Sequence, residues 1–270
     1  MSNAPIPPAQ ASHSKRRLAR AAALLIACWS CASLSGGPSI GKTVERATTR
    51  IDVDGHRMTL EEYSPPSPRR HPAVLLLHGS GGLHFYNSGV MHRYARALAS
   101  QGFLAVVVHY FDATGTFSAG DEEERRCYDE WVHAVRRAIS AVRARPDVDT
   151  ARVGLLGQSL GAYLALGVAA EDPRVTAVVD MSGGLEPWIA NRANRLPPAL
   201  ILHGTDDDVV PASAAGLLAQ FLSDHRVPYE MRLYPGEGHE FDSDAEDDAL
   251  ARAAEFLRHP GYEEGTLVHR

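Results

Sequence analysis

Residues 153–170, VGLLGQSLGAYLALGVAA, contain a short apolar run, a glycine-flanked serine and a second apolar run of small residues. Val153–Gln158 reads as a strand covered on both faces, and Leu160–Ala170 as a helix. Between them stands Gly157-Gln158-Ser159-Leu160-Gly161. A serine held on so abrupt a strand-to-helix turn needs small residues two places before and after it, because backbone and helix crowd there. The helix that follows presents unpaired N–H groups and a positive dipole end beside the hydroxyl. Ser159 is therefore the candidate nucleophile, and the Leu160 N–H a candidate donor to a developing oxyanion.

Outward from this turn the chain alternates strand and helix. Upstream, Val44–Val53 and Met58–Tyr63 flank Asp54-Gly55 and read as a hairpin. Ala73–His78 and Phe103–Phe111 read as buried strands, Val90–Ser100 and Asp121–Arg145 as helices. Acidic residues open the second helix and arginines close it, as the helix dipole favours. Downstream, Val175–Met181, Ala199–His203 and Tyr229–Tyr234 are predicted strands, with helices at Ser213–His225 and Asp244–Arg258. Such alternation demands crossover connections. The predicted fold is α/β: a doubly wound, mostly parallel sheet with an N-terminal antiparallel hairpin, in one domain over 43–260. Pro-rich Ser64–Pro72 reads as a surface connection.

A serine hydroxyl is a weak nucleophile and needs a base, which needs an acid to orient it. After the strand ALILH comes Gly204-Thr205-Asp206-Asp207-Asp208-Val209-Val210-Pro211, offering three adjacent carboxylates among which spacing does not choose. The last strand runs into Tyr234-Pro235-Gly236-Glu237-Gly238-His239-Glu240-Phe241. Of 13 histidines, His239 alone combines the right chain order with a glycine-flexed loop, while His78 and His203 end strands and support loops. The first buried strand leads into His78-Gly79-Ser80-Gly81-Gly82, whose glycines let backbone approach a ligand closely. Ser80 is the preferred second oxyanion donor, with Gly81 as the alternative. Gly81 and Trp188 are candidate substrate contacts, with the Phe111–Gly120 loop flanking the cleft. Ser182–Pro198 is too short for the helical cover many lipases carry, so the cleft is expected to be open, with no large lid.

LLLHGSGG (75–82), GLLGQSLGAYLAL (154–166), LHGTDDDVVP (202–211) and YPGEGHEF (234–241) together resemble the dienelactone hydrolase family of the α/β-hydrolase fold. The resemblance covers most of the chain beyond residue 43. It implies that Asp207 is the acid and His239 the catalytic histidine. The family takes its name from enzymes with a cysteine nucleophile, and this chain has Ser159 in that place. The implied activity is therefore that of a serine esterase on small or exposed esters or lactones, needing no metal or organic cofactor. A peptidase or acyltransferase on the same residues, and a noncatalytic binding protein of the same fold, are the rival readings. Activity is expected to rise with pH, because an imidazolium cannot act as a base.

Composition limits the remaining readings. The chain has 270 residues, 44% of them apolar, and 27 basic against 33 acidic side chains. That apolar content excludes a disordered chain, and the acidic balance with no basic stripe argues against a nucleic-acid partner. Lys15, Arg16, Arg17 and Arg20, then apolar Ala21–Trp29, then small residues form the order of a secretory signal. The expected divisions are a signal at 1–32, a linker at 33–42 and a tail at 261–270. The product would be periplasmic or extracellular. Leu25-Ile26-Ala27-Cys28 also fits a lipoprotein signal, with Cys28 as a lipid anchor. The apolar run is too short to span a membrane. Removing 1–32 takes four of the 27 basic residues, no acidic ones, and two of the three cysteines, leaving Cys127 alone. Residues 36–43, GGPSIGKT, match a phosphate-loop pattern but lack the preceding strand and following helix that such a loop needs. The acidic runs Asp121–Glu124 and Asp242–Asp248 read as helix starts, not metal sites.

Overall fold

The computed structural model describes residues 43–84, 86–192 and 195–260, with Tyr86, Asn87, Trp188 and Arg192 described as backbone only. The signal, Cys28, the 33–42 linker, most of the phosphate-loop pattern and the 261–270 tail lie outside the described residues.

Apolar residues on alternating sides of the central strands create two faces, each of which must be covered. In β3 (His71–Leu77), Leu75 and Leu77 face one core, whereas Val74 and Leu76 face the other. The first core is closed by α2 (Asp121–Arg143), α3 (Leu160–Glu171) and α5 (Ser213–Asp224), through residues such as Trp131, Leu164 and Leu218. The second is closed by α1 (Tyr86–Ser100) and α6 (Ser243–Arg258), through Met91, Leu98, Leu250 and Leu257. Cys127 is buried on the inner side of α2.

The remaining strands are β1 (Glu45–Val53), β2 (His56–Ser64), β4 (Leu104–Val108), β5 (Val148–Gln158), β6 (Ala177–Met181), β7 (Ala199–Gly204) and β8 (Tyr229–Tyr234). They form one eight-stranded sheet in the order β1-β2-β4-β3-β5-β6-β7-β8. β1, β2 and β4 pair antiparallel, and every later pairing is parallel. The hairpin turns at Asp54 and Gly55, both at positive φ (51° and 91°), as the tight turn of a right-twisted hairpin requires. This is the expected doubly wound α/β architecture. Among the described residues no helix is long and apolar enough to cross a membrane.

Several element boundaries differ from the sequence reading: β3 begins at His71 and α1 at Tyr86, earlier than expected, α2 ends at Arg143 and β6 begins at Ala177. Two further differences have a clear physical cause. The run FLAVVVHYF continues past the end of its strand: β4 stops at Val108, and Tyr110–Ala113 form a 3₁₀ turn. Pairing with β2 ends at Leu60 opposite Val108, and Asp112 then accepts a hydrogen bond from the Thr59 N–H (2.9 Å). Tyr110 and Phe111 are apolar because they are buried, not because they pair. Conversely, β5 begins at Val148, five residues early, because Val148 pairs with His71 across an irregularity in the β3 ladder. Asp149–Arg152 between them lack large apolar side chains and are largely exposed, so their pattern reads as loop. Among the described residues of the 182–198 connection, α4 (Pro187–Arg192), a helix of six residues, is the one helix.

Candidate active site

Ser159 sits between β5 and α3 at φ 54°, ψ −124°, a conformation unfavourable for a residue with a Cβ. The neighbours explain why the chain tolerates it. A Cβ on Gly157 would overlap the Gly161 carbonyl, and one on Gly161 would overlap the Leu77 carbonyl at the end of β3. The two glycines thus let strand, turn and helix approach to backbone contact. The Ser159 N–H donates to the Met181 carbonyl at the end of β6 (2.9 Å), fixing the turn to the sheet.

β7 ends at Gly204 and opens into the three aspartates. Asp207 is the buried one, and both of its oxygens are engaged. Oδ1 accepts the Val209 and Val210 N–H groups (2.9 and 2.8 Å), and Oδ2 lies 2.9 Å from His239 Nδ1. His203, wholly buried, supports the same loop, with Nε2 2.8 Å from the Val210 carbonyl and 3.2 Å from Asp207 Oδ2. Asp206 and Asp208 are exposed, and Asp206 accepts the Thr205 hydroxyl instead. Burial thus distinguishes Asp207 where sequence spacing did not.

His239 lies on the loop between β8 and α6. A Cβ on Gly204 would overlap the Glu237 and Gly238 carbonyls, so glycine there lets the two loops nest. The Asp206 N–H donates to the Glu237 carbonyl (2.9 Å) and the Gly236 N–H to the Thr205 hydroxyl (2.9 Å), tying the loops together. His239 Nε2 then lies 2.9 Å from Ser159 Oγ. With Asp207 accepting from Nδ1–H, the network assigns Nε2 as the acceptor of the serine proton. Residues 80 positions apart meet in one hydrogen-bonded chain, Asp207–His239–Ser159.

The segment after β3 lines the other side of Ser159. Gly79 lies close enough that a Cβ would come within 3.3 Å of Ser159 Cβ. The Gly79 carbonyl receives the Gly82 N–H (3.1 Å) and pairs with His78 Nδ1 (2.8 Å), while the Ser80 carbonyl receives the Ala119 N–H (2.8 Å). His78 is buried and stacked on Tyr110 with 4.2 Å between ring centroids, and Tyr110 OH donates to the His78 carbonyl (2.7 Å). Burial pushes the His78 pKa down to about 3, so the ring stays neutral. Ser80 and Gly81, the two candidate oxyanion donors on this segment, line the cleft. Leu160 is the first residue of α3, where an N–H has no intrahelical acceptor.

Ser159, His239, Ser80 and Gly81 line a cleft of about 200 Å³ together with Met91, Gln158 and Glu240. No motif pointed to these last three, although Gln158 and Glu240 are chain neighbours of Ser159 and His239. The Phe111–Gly120 loop, expected to flank the cleft, packs on the Ser80–His84 segment, with Phe117 stacked on His84 at 3.6 Å and the Ala119 N–H donating to the Ser80 carbonyl. The side chain of Trp188 lies outside the described residues. Asp242 caps α6 by accepting the Asp244 and Ala245 N–H groups (3.0 Å each), while Glu246 pairs with Arg93 and Asp248 with Tyr234 and Arg252.

The arrangement resembles known proteins in both sequence and fold. The chain is 27% identical to acyl-coenzyme A thioesterase 1 of Rattus norvegicus over 181 residues, 63% of this chain and 40% of that protein. It therefore spans well under two thirds of that relative. Its fold matches a dienelactone hydrolase-like promiscuous phosphotriesterase from metagenomic libraries, with a TM-score of 0.68 at 19% identity, covering 80% of this chain and 98% of the other. An acylaminoacyl peptidase of Pyrococcus horikoshii gives a TM-score of 0.67 at 16% identity, over 83% of this chain and 43% of that one. The model of the dienelactone hydrolase family matches residues 61–259, a span running from β2 to the end of α6. With that match across the sheet and all three hydrogen-bonded residues, the chain belongs to the dienelactone hydrolase family.

Proposed function

We propose that this chain is a serine hydrolase that cleaves carboxylic esters or lactones of small or exposed substrates through an acyl-enzyme on Ser159. The observation that carries the reading is the continuous hydrogen-bonded chain from buried Asp207 through His239 to Ser159 Oγ, opening on a cleft. His239 Nε2 takes the Ser159 hydroxyl proton as Oγ attacks the substrate carbonyl carbon. The carbonyl oxygen becomes an oxyanion held by the Ser80 and Leu160 N–H groups. As the tetrahedral species collapses, His239 gives its proton to the departing oxygen. Water then loses a proton to His239, attacks the acyl carbon, and releases the acid with the proton returned to Ser159. Asp207 holds the tautomer and stabilises the imidazolium throughout.

The direct test is labelling with a fluorophosphonate probe. An adduct on Ser159, absent in Ser159→Ala, is the expected result, and no adduct on folded protein overturns the reading. Ser159→Ala should also lower ester turnover by about 10³-fold or more. A panel of short acyl esters, lactones, peptides and long-chain triglyceride emulsions then defines the substrate. Acyl thioesters belong in it because of the thioesterase relative. Turnover of the emulsions alone would exclude a small-substrate enzyme.

The basic, apolar and small-residue order of the first 37 residues supports a proposal of export. Mass spectrometry of the protein recovered from a secreting bacterial host distinguishes the routes. A chain beginning after Ala32 favours ordinary signal cleavage, an acylated Cys28 favours the lipid anchor, and an uncut intracellular chain rejects export.

A further inference from the structure

We infer that Glu240 sets a charge preference in the cleft, favouring esters with a cationic group near the scissile bond over matched esters with an anionic one. The inference rests on the serine hydrolase reading and adds the substrate class. Beside Ser159 and His239 the cleft is walled by Ser80, Met91, Gln158 and Glu240, and among the described residues no Lys or Arg lines it. Glu240 is exposed and, among the described residues, has no ion-pair partner, so its carboxylate is not neutralised locally. Besides His239, the wall holds one more imidazole, His78, which is buried and uncharged at neutral pH. Arg93 of α1, two residues beyond Met91, is engaged bidentately by Glu246 at 3.0 Å and does not line the cleft. The same loop brings Glu237 and Asp242 close behind His239, each committed to backbone N–H groups. A concave site with one sign of charge concentrates counter-ions of the opposite sign.

Three esters of one leaving group and equal acyl size test this, ending in trimethylammonium, tert-butyl or carboxylate. A unit charge several ångströms away in a solvated cleft predicts a cation-to-anion ratio in kcat/KM of about tenfold at low salt. The ratio should shrink as salt is raised. Glu240→Gln should bring the ratio to about one, and Glu240→Lys should invert it. Because the ratio is taken within one protein, any change in His239 basicity or in the folded fraction cancels. A wild-type ratio near one, or a ratio kept in Glu240→Gln, overturns the inference while leaving the hydrolase reading intact. Failure of the neutral fluorophosphonate to label Ser159 overturns both.

Discussion

Gly161 shows how little freedom the chain has around Ser159. Any side chain there collides with the backbone of β3, and the neighbouring serine sits at a positive φ that only a rigid surround sustains. Gly161→Ala should therefore cost about 3 kcal/mol or more, read as a lowered midpoint in urea unfolding. An unchanged midpoint would mean that strand and helix separate easily. At the acid position the structure makes a sharper distinction than spacing does. Asp207→Asn keeps the volume but removes the charge facing His239 Nδ1, so kcat should fall on the order of 10³-fold. Asp206→Asn and Asp208→Asn, at exposed positions, should change kcat by about twofold or less. Equal losses at all three positions would contradict the geometry. The three carboxylates are indistinguishable in sequence because burial depends on a partner 32 residues away.

At the scale of elements, the join between β2, β4 and the 3₁₀ turn is where the sequence pattern was least informative. Hydrophobicity reports burial, not pairing, so Tyr110 and Phe111 extend the apparent strand although they serve the core. The join is tied by Glu61 of β2, which accepts from Arg46 and lies 2.9 Å from His109 Nε2. Its hydrogen bond with His109, then that with Arg46, holds the carboxyl pKa down to about 2. A carboxyl whose folded pKa lies below its unfolded value binds fewer protons when folded than when unfolded. Its stabilisation is thus complete above about pH 5 and is lost as pH falls toward 2. Discounted for solvent screening, the contribution is about 1–2 kcal/mol. Glu61→Gln should lose that amount at pH 7 and converge on the wild type near pH 2, as chemical denaturation across pH will show. A pH-independent loss would assign the effect to packing alone.

For the molecule as a whole, strand order assembles the candidate site, because β3, β5, β7 and β8 end on the same side of the sheet and bring Ser80, Ser159, Asp207 and His239 there. The same close packing buries Asp180 of β6 completely, with one carboxyl oxygen unpartnered among the described residues. Burial raises its pKa to about 7, against the opposing pull of the Gly183 and Gly184 N–H groups. Here the folded state holds the proton more tightly than the unfolded chain. The stability contribution is full below about pH 4 and declines as pH rises to about 7. Buried, neutral His78 acts in the opposite sense, so the wild-type profile mixes both. The difference between Asp180→Asn and wild type isolates the aspartate. Its stabilising margin should grow by about 1–3 kcal/mol between pH 4 and 7 and then level off. A flat difference would show that the folded protein does not protonate Asp180. By itself the sequence determined the alternation of elements, the two-sided burial of the central strands, the glycine-bracketed serine, and the order serine, acid, histidine. These are local properties, written in periodicity and side-chain volume. Only the tertiary structure decided which aspartate meets His239, where β4 stops pairing, and that Met91, Gln158 and Glu240 wall the cleft. Those outcomes depend on distances between segments far apart in the chain, which close packing sets and no local pattern encodes.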